Sequence, residues 1–262
     1  MSAILLEGQI VHYEVLGRGR PIIFLHGWIG SWRYWITSMQ VASTSFRAYG
    51  LDLWGFGESA HDTMRYTIDQ QTDLLSRFLD EMGIGKVALV GHGLGALVGF
   101  NFCVRWPKSV DRVMAVNCPM FYDSINARLR TSPLSDLVTW LGSKSPEAVT
   151  ALADATKADP QAITASIGSF QSNSLFGQMC ETLIPCLLVH GQNDPAIPSP
   201  PADNSVNLPH MMHHIVLEGS GHFPMIDESA RFNRLMTDFL ALDSGVSPRE
   251  LQLKEEWKRR VR

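Results

Sequence analysis

Short apolar segments recur along the chain at the length of buried strands. Between them, apolar positions follow helical spacing, as in residues 67–82, where the pattern stops at Gly83. Because strands and helices alternate, the pattern predicts an α/β fold with a mainly parallel sheet and helices on both faces. The predicted strands are residues 9–15, 21–25, 46–51, 86–90, 110–116, 186–190 and 213–217, and the other predicted helices are residues 94–104 and 232–240.

The alternation lapses after residue 119, and the segment that follows is typical of helices joined by loops. Ser145 before Pro146, and Asp159 before Pro160, combine a capping side chain with a proline at the first helical position, which indicates two helix starts. We expect this segment to cover the core as a cap. The predicted organisation is a core of residues 1–119 and 182–243, a helical cap of residues 120–181 and a tail of residues 244–262.

The end of the tail is modestly basic. A solvated helix with pairs such as Glu255 and Arg259 is one interpretation of this segment. Docking on a partner subunit or an anionic surface is the other, and Trp257 favours it because an isolated helix has nothing against which to bury an indole. The basic residues are Lys254, Lys258, Arg259, Arg260 and Arg262, against Glu255 and Glu256.

Composition narrows the class of protein. A chain of 262 residues, 45% hydrophobic and 18% charged, is sufficient for one large domain, and its net charge of −4 argues against a nucleic-acid partner. The apolar run at residues 3–6 has no basic residues before it, so it does not predict a secretory signal, and no segment reaches the ~18 apolar residues of a membrane span. We therefore expect a cytoplasmic protein with reduced thiols. The cysteines, which have neither C-x-x-C nor zinc-ligand spacing, are Cys103, Cys118, Cys180 and Cys186.

Five short motifs follow predicted strands and together cover nearly the whole chain. They are His26-Gly27-Trp28, Asp52-Leu-Trp-Gly55-Phe-Gly57-Glu-Ser59, Gly91-His92-Gly93-Leu94-Gly95, Gly191-Gln-Asn-Asp194 and Gly219-Ser-Gly-His222-Phe-Pro. In kind and order they resemble the α/β-hydrolase family, in which a G-x-S-x-G nucleophile elbow precedes an acid and then a histidine. The resemblance implies an eight-stranded, mainly parallel sheet with helices on both faces and a small helical cap.

The resemblance also implies a role for each motif. Gly93 stands at the nucleophile position, His222 would be the general base, and Asp194 would hold its tautomer. The backbone N–H groups of Trp28 and Leu94 would form the oxyanion hole. The residues expected to bind substrate are His26, Gly27, His92, Trp54 and Cys118.

Glycine at the centre of the elbow cannot attack a carbonyl. Relocated nucleophiles at Ser59, Ser220 or Cys118 are disfavoured, because none of them occupies the strand-to-helix turn whose N–H groups organise attack. The turn forces its central residue into a strained backbone region that glycine adopts freely. We therefore expect Gly93→Ser to lower stability slightly and to create or raise esterase activity.

Three functional hypotheses remain open from the sequence. The first is an ester or acyl hydrolase-type protein in which serine has been replaced by Gly93, by engineering or in nature, and which binds an apolar acyl ligand without forming an acyl-enzyme. The second is an enzyme whose His222–Asp194 dyad acts as a general base without a covalent intermediate, as in cofactor-free dioxygenases, lyases or a water-attack hydrolase. The third is a ligand-binding protein without chemistry.

Aromatic residues crowd the loops expected at the ligand-binding edge of the sheet. They either pack the cap against the core or form a wall for an apolar or aromatic ligand. They are Trp28, Trp32, Tyr34, Trp35 and Trp54. We expect a small apolar or aromatic molecule as the partner, with no nucleic acid, no membrane span, no cofactor and no metal, and the sequence leaves room for a homodimer.

Overall fold

A computed structural model describes residues 2–143, 145–170, 174–200 and 208–251, and they contain one eight-stranded sheet. In chain order the strands are β1 (Ser2–Leu6), β2 (Gln9–Leu16), β3 (Arg20–Leu25), β4 (Phe46–Leu51), β5 (Val87–His92), β6 (Val110–Val116), β7 (Cys186–Gly191) and β8 (Met212–Leu217). Across the sheet their order is β1-β2-β4-β3-β5-β6-β7-β8. The pairs β1–β2 and β2–β4 are antiparallel, and the remaining neighbours are parallel. The predicted α/β fold with a mainly parallel sheet is confirmed.

The central strands are buried on both faces, which explains why their sequences are continuous apolar runs. Every residue of β5 and of β7 is buried, and each predicted strand lies within two residues of its observed bounds. The sequence analysis did not predict β1. This edge strand alternates between partly buried and exposed positions, with Leu5 68% exposed, so it lacks the apolar run that identifies the buried strands.

Helices cover the sheet and connect its strands. The described helices are α1 (Ile36–Ala42), α2 (Ile68–Glu81), α3 (Leu94–Arg105), α4 (Arg128–Thr131), α5 (Leu134–Leu141), α6 (Pro146–Ala151), α7 (Pro160–Ser169), α8 (Ser174–Cys180), α9 (Pro224–Asp227) and α10 (Ser229–Ala241). The Thr67 hydroxyl caps the start of α2 by accepting from Gln70 N, and Gly83 follows its end with a φ of 66°. Helix α3 is buried over most of its length, as its nearly uniform apolar composition predicts.

The segment between β6 and β7 is helical, and it contains α4 to α8. Both predicted helix starts are present: Ser145 Oγ accepts from Ala148 N at 3.1 Å before α6, and Asp159 Oδ1 accepts from Gln161 N at 2.8 Å before α7. The division into a core and a cap at residues 120 and 181 stays a prediction. We call residues 120–181 the insertion below.

The described part of the tail packs back on the sheet. A short 3₁₀ turn, Pro248–Glu250, lies next to β8, where Arg249 Nε donates to Met212 O at 3.0 Å and Ser247 Oγ to His210 O at 2.6 Å. Trp257 and the basic residues of the predicted tail helix lie outside the described residues. No helix in the described ranges is long and apolar enough to cross a membrane.

Candidate active site

The turn from β5 into α3 has Gly93 at its tip, with φ 50° and ψ −108°. Two close approaches fix the turn: a Cβ atom at Gly91 would lie 2.4 Å from Gly95 O, and a Cβ atom at Gly95 would lie 2.4 Å from Leu25 O. Glycine is therefore required at both flanking positions. Gly93 N donates to Val116 O at 2.9 Å, which ties the tip of the turn to the end of β6.

His222 and Asp194 form a buried pair at the same edge of the sheet. His222 Nδ1 lies 3.0 and 2.9 Å from the two carboxylate oxygens of Asp194, and Asp194 Oδ1 also accepts from Ala196 N at 2.8 Å and from Ile197 N at 3.2 Å. Because a carboxylate only accepts, Nδ1 carries the proton in a neutral ring and Nε2 carries the lone pair. His222 is 1% exposed, and its Nε2 has no hydrogen-bond partner among the described residues.

The side chain of Trp28 lies directly over Gly93. A Cβ atom added at Gly93 would be 3.2 Å from both Cε3 and Cζ3 of the indole, which is closer than ordinary van der Waals contact. The indole is fully buried, and its Nε1 donates to Ser166 Oγ on α7 at 3.0 Å. A contact between the insertion and the core therefore positions the ring above the elbow.

The N-terminal end of α3 and the loop after β3 present backbone donors near Gly93. Gly27 N donates to Tyr34 Oη at 2.5 Å, and Gly95 N donates to His26 O at 3.0 Å. The N–H groups of Trp28 and Leu94 donate to no acceptor in the part of the chain that the structure describes. These are the two groups that the sequence analysis assigns to the oxyanion hole, and that role stays a prediction.

His92 packs against the dyad. Its ring centroid lies 4.7 Å from that of His222 at an interplanar angle of 62°, and its Nδ1 lies 2.9 Å from Tyr34 Oη. Since Tyr34 Oη accepts from Gly27 N, its own proton is available to His92. Burial, and then the nearby His222, hold the pKa of His92 well below its usual range, so the ring is neutral.

Comparison with known proteins agrees with this geometry. The model of the Alpha/beta hydrolase family matches residues 22–235. The chain belongs to this family.

The individual proteins to which the chain is similar have low sequence identity to it. The chain is 25% identical to a pimeloyl-[acyl-carrier protein] methyl ester esterase of Nitrosomonas europaea over 248 residues, which cover 85% of this chain and 96% of that protein. It is 30% identical over 123 residues to the dihydrolipoyllysine-residue acetyltransferase component of the acetoin cleaving system of Cupriavidus necator. That match covers 47% of this chain and only 33% of the relative's length.

Among solved structures, the chain is similar to a serine-to-glycine mutant of the N-acyl homoserine lactonase AidH in complex with N-hexanoyl homoserine lactone. The TM-score is 0.79 at 19% identity, with 91% of this chain and 96% of that chain covered. At this identity the likeness concerns the fold alone.

In this alpha/beta hydrolase, His26 and Gly27 join loops at the edge of the sheet. His26 Nε2 accepts from Leu53 N at 3.0 Å, so its Nδ1 carries the proton and donates to Gly27 O at 2.8 Å. Burial lowers the pKa of His26, which keeps the ring neutral. Both ring nitrogens are thus occupied by backbone groups.

Trp54 and Cys118 have different surroundings. The backbone of Trp54 exchanges two 2.9 Å hydrogen bonds with the Gln71 side chain, and the guanidinium of Arg65 lies over its ring, so these contacts join it to α2 and its approach, not to the dyad. Cys118 borders a mostly apolar cavity of about 120 Å³, and burial raises the pKa of its thiol. The other lining residues are Met120, Phe121, Ser124, His190, Pro198, Ser199 and Pro200.

The hydroxyl groups considered as relocated nucleophiles are bound to backbone carbonyls. Ser59 Oγ donates to Asp52 O at 2.7 Å and accepts from His12 N at 2.9 Å, and Ser220 Oγ donates to Leu217 O at 2.9 Å. Neither group contacts the dyad in these hydrogen bonds. The described residues contain no group of three or more histidine, cysteine, aspartate or glutamate side chains that could hold a metal ion.

The crowded aromatic residues divide between core and site. Trp35 packs on Phe24 and Phe232 with centroid distances of 5.4 and 6.0 Å, and Trp32 lies 6.0 Å from His12. These contacts favour packing over a ligand wall for Trp32 and Trp35.

Three residues of the site lie outside the five motifs, although the sequence analysis names Tyr34 among the crowded aromatic residues. Tyr34 joins the loop after β3 to His92, Ser166 holds Trp28 from 138 positions away, and Asn117 joins the two loops that carry the dyad. A polar residue directly after a predicted strand was the one available hint for Asn117.

Proposed function

We propose that this chain hydrolyses small apolar acyl compounds without an acyl-enzyme intermediate, with His222 as general base for a water molecule. The observation that carries the proposal is the state of His222: Asp194 holds Nδ1, while the buried Nε2 has no partner in the described residues. Since Asp194 fixes the proton on Nδ1, the lone pair on Nε2 is the one that can take a proton from a water molecule.

The chemical steps follow from the positions of these groups. As the water oxygen bonds to the carbonyl carbon, its proton passes to His222 Nε2, and the imidazolium is stabilised by the Asp194 carboxylate. The carbonyl oxygen becomes an anion that accepts from the N–H groups of Trp28 and Leu94. When the bond to the leaving group breaks, the proton on Nε2 passes to that group, which regenerates the neutral ring.

The acyl class of substrate is supported by one relative, whose name describes activity on a methyl ester. The mostly apolar cavity beside Cys118, whose lining does not include the dyad or the elbow, is where we expect a small apolar group of the substrate to bind. Even without a covalent nucleophile, the binding site and oxyanion donors alone accelerate such reactions by roughly 1000- to 10000-fold over water.

Kinetics with p-nitrophenyl esters and N-acyl homoserine lactones of increasing acyl length test the proposal. We expect steady turnover without a burst, no covalent adduct by mass spectrometry of the intact protein, and loss of turnover in His222→Ala. His61→Ala removes a solvent-exposed histidine and serves as the matched control. An acyl adduct on the unmodified chain, or turnover in His222→Ala equal to that of the control, would refute the mechanism.

Gly93→Ser provides the complementary test. The substitution adds a hydroxyl at the tip of the elbow, where φ is 50°, so strain and the 3.2 Å contact with Trp28 should lower stability by about 1–3 kcal/mol. We expect this variant to form an acyl adduct and to gain esterase activity. A folded Gly93→Ser protein that forms no adduct with any ester would mean that the site lacks more than a nucleophile.

A second candidate function is ligand binding without chemistry. It is favoured by the burial of the site, since the Trp28 indole lies over Gly93 and is fully enclosed. Under this hypothesis a bound ester or lactone is recovered unchanged after long incubation, and His222→Ala binds it as tightly as the unmodified chain.

A further inference from the structure

Asn117 lies directly after β6 in an unusual backbone conformation. Its φ is 41°, in the left-handed region that asparagine tolerates better than most residues, and its side chain is fully buried. Such a conformation costs free energy and persists only where the surroundings determine it. The contacts of the side chain identify those surroundings.

The carboxamide group of Asn117 bridges the two loops that carry the dyad. Its Oδ1 accepts from Gly191 N at 2.8 Å, at the start of the loop with Asp194. Its Nδ2 donates to His222 O at 2.9 Å and to Gly221 O at 3.3 Å. One backbone donor and two backbone acceptors surround the group, so only one orientation of the amide satisfies all three.

The backbone around Asn117 adds the third part of the site. Asn117 N donates to Val189 O of β7 at 2.8 Å, and the preceding carbonyl, Val116 O, accepts from Gly93 N at 2.9 Å. The elbow, the acid loop and the histidine loop therefore all contact two consecutive residues at the end of β6.

Further hydrogen bonds connect the two dyad loops to each other, and Asn126 of the insertion also binds the acid loop at Pro195 O and Ala196 O. Asn193 N donates to Ser220 O at 2.9 Å, and Gly219 N donates to Gln192 Oε1 at 3.3 Å. The bonds between the two loops do not by themselves set the distance from either loop to Gly93. The Asn117 side chain supplies this link, because it binds the histidine loop to the end of β6, and β6 also binds the elbow.

We propose that Asn117 is a positioning residue that holds His222 against Asp194 and at a fixed place relative to Gly93. It acts through the main chain of residue 222, leaving the ring free for the reaction. The catalytic consequence rests on the proposed general-base function, whereas the positioning itself can be measured without any substrate.

Two substitutions separate the contributions of the side chain. Asn117→Gly keeps a residue that adopts positive φ without strain and removes all three side-chain hydrogen bonds. Asn117→Asp keeps the acceptor for Gly191 N but replaces the Nδ2 donor with an oxygen, which cannot donate to the carbonyls of Gly221 and His222 and repels them. Asn233→Ala, which removes a buried asparagine on α10 that donates to Ser229 Oγ, is the control for a general loss of stability.

The main measurement is the proton NMR resonance of His222 Nδ1–H, assigned by its absence in His222→Ala. We expect it to broaden or disappear in both Asn117 variants and to remain in Asn233→Ala at the same temperature. With p-nitrophenyl acetate, kcat should fall about 100-fold in the Asn117 variants while KM is unchanged, as expected for misplacement of a general base. If the unmodified chain has no esterase activity, the proposed function fails, and the resonance still decides the role of Asn117.

Folded Asn117 variants that retain the His222 resonance with the exchange rate of the control would overturn the proposal. The unmodified chain supplies a second test that depends on no variant. The Nδ2 protons of Asn117 should exchange with solvent far more slowly than those of Asn126, an exposed asparagine that donates to Pro195 O. Equal exchange rates for the two side chains would also overturn it.

Discussion

The loops at the ends of the strands and the helical insertion are built on different kinds of contact. In the loops, main chain lies directly against main chain: a Cβ atom at Gly191 would be 2.0 Å from Gly221 O. The insertion joins the core mainly through side chains, among them Ser166 with Trp28 and Asp154 with Arg33, whose carboxylate and Nε are 2.7 Å apart.

Because of this difference, we expect the loops to set the geometry of the reacting groups and the insertion to control how a ligand reaches them. Close contacts between main-chain atoms, together with the hydrogen bonds of the Asn117 side chain, constrain the relative positions of Gly93, Asp194 and His222. Side-chain bonds to the insertion can be exchanged one at a time, and one of them holds the indole that covers Gly93. Substitutions in the loops should therefore abolish folding or function, whereas substitutions in the insertion should tune stability and access.

The largest expected effect is that of Gly191→Ala. The added methyl group would overlap Gly221 O and come within 3.0 Å of Ser220 O, both of which are backbone atoms that cannot rotate away. We expect a loss of at least about 3 kcal/mol in the free energy of unfolding, measured by urea denaturation. Gly85→Ala, at an exposed position before β5 where a Cβ atom meets nothing within 4 Å, is the matched control. Similar unfolding midpoints for the two variants would contradict the close packing described for these loops.

Acidification should have the next largest effect on stability. It should act on β7 and β8, from which the dyad loops continue, at a higher pH than on the insertion. Burial lowers the pKa of His190 to about 4 and that of His214 to about 3, and the two rings are joined by a 3.1 Å hydrogen bond at the edge formed by β7 and β8. Unfolded histidine titrates near about 6.5, so below that pH the unfolded chain takes up protons that the folded chain does not. The resulting stability is complete above about pH 6.5 and is lost as the pH falls toward 4.

The insertion should respond at lower pH. Burial raises the pKa of Asp154, but hydrogen bonds from Arg33 and Lys157 outweigh it and leave the pKa lowered, so this contribution is lost only below the usual carboxyl range. We expect His190 alone to account for a loss of about 2 kcal/mol between pH 7 and pH 5 in urea denaturation. His190→Gln should show a correspondingly flatter profile. A variant with the same pH dependence as the unmodified chain would exclude His190 as its source.

The parts of the molecule that could be predicted from the sequence are those fixed by local rules. Apolar runs identify the buried strands, and glycines at 91, 93 and 95 identify the turn, because close approach and positive φ are properties of single positions. The His222–Asp194 pair could be predicted only from the order of the motifs in the family. Whether the remaining site residues take the roles assigned to them stays a prediction.

The rest depends on contacts between positions far apart in the chain. The indole of Trp28 covers Gly93 because it donates a hydrogen bond to Ser166. Ser166 is 138 positions away in the chain, on a helix whose placement no local pattern specifies. The backbone of Trp54 exchanges hydrogen bonds with the Gln71 side chain, since the loop after β4 lies against α2, and the expected contact of Trp54 with substrate stays a prediction. Asn117 is similar: its left-handed backbone and its three partners arise from packing between β6, β7 and the histidine loop.

The smallest expected effect concerns two glycines of the insertion. Gly168 lies in α7 without positive φ, and a Cβ atom there would meet nothing within 4 Å. Gly168→Ala should therefore raise the free energy of unfolding by about 0.5–1 kcal/mol, because alanine loses less backbone entropy in a helix. Gly142→Ala is the matched control, since its Cβ atom would lie 2.7 Å from Val138 O and should be destabilising. If the two substitutions change the free energy of unfolding in opposite directions, the insertion accepts a methyl group where there is space and rejects it where the backbone is close. Both effects should be smaller than the loss at Gly191. A loss of stability in Gly168→Ala would instead indicate that the insertion is packed as tightly as the loops.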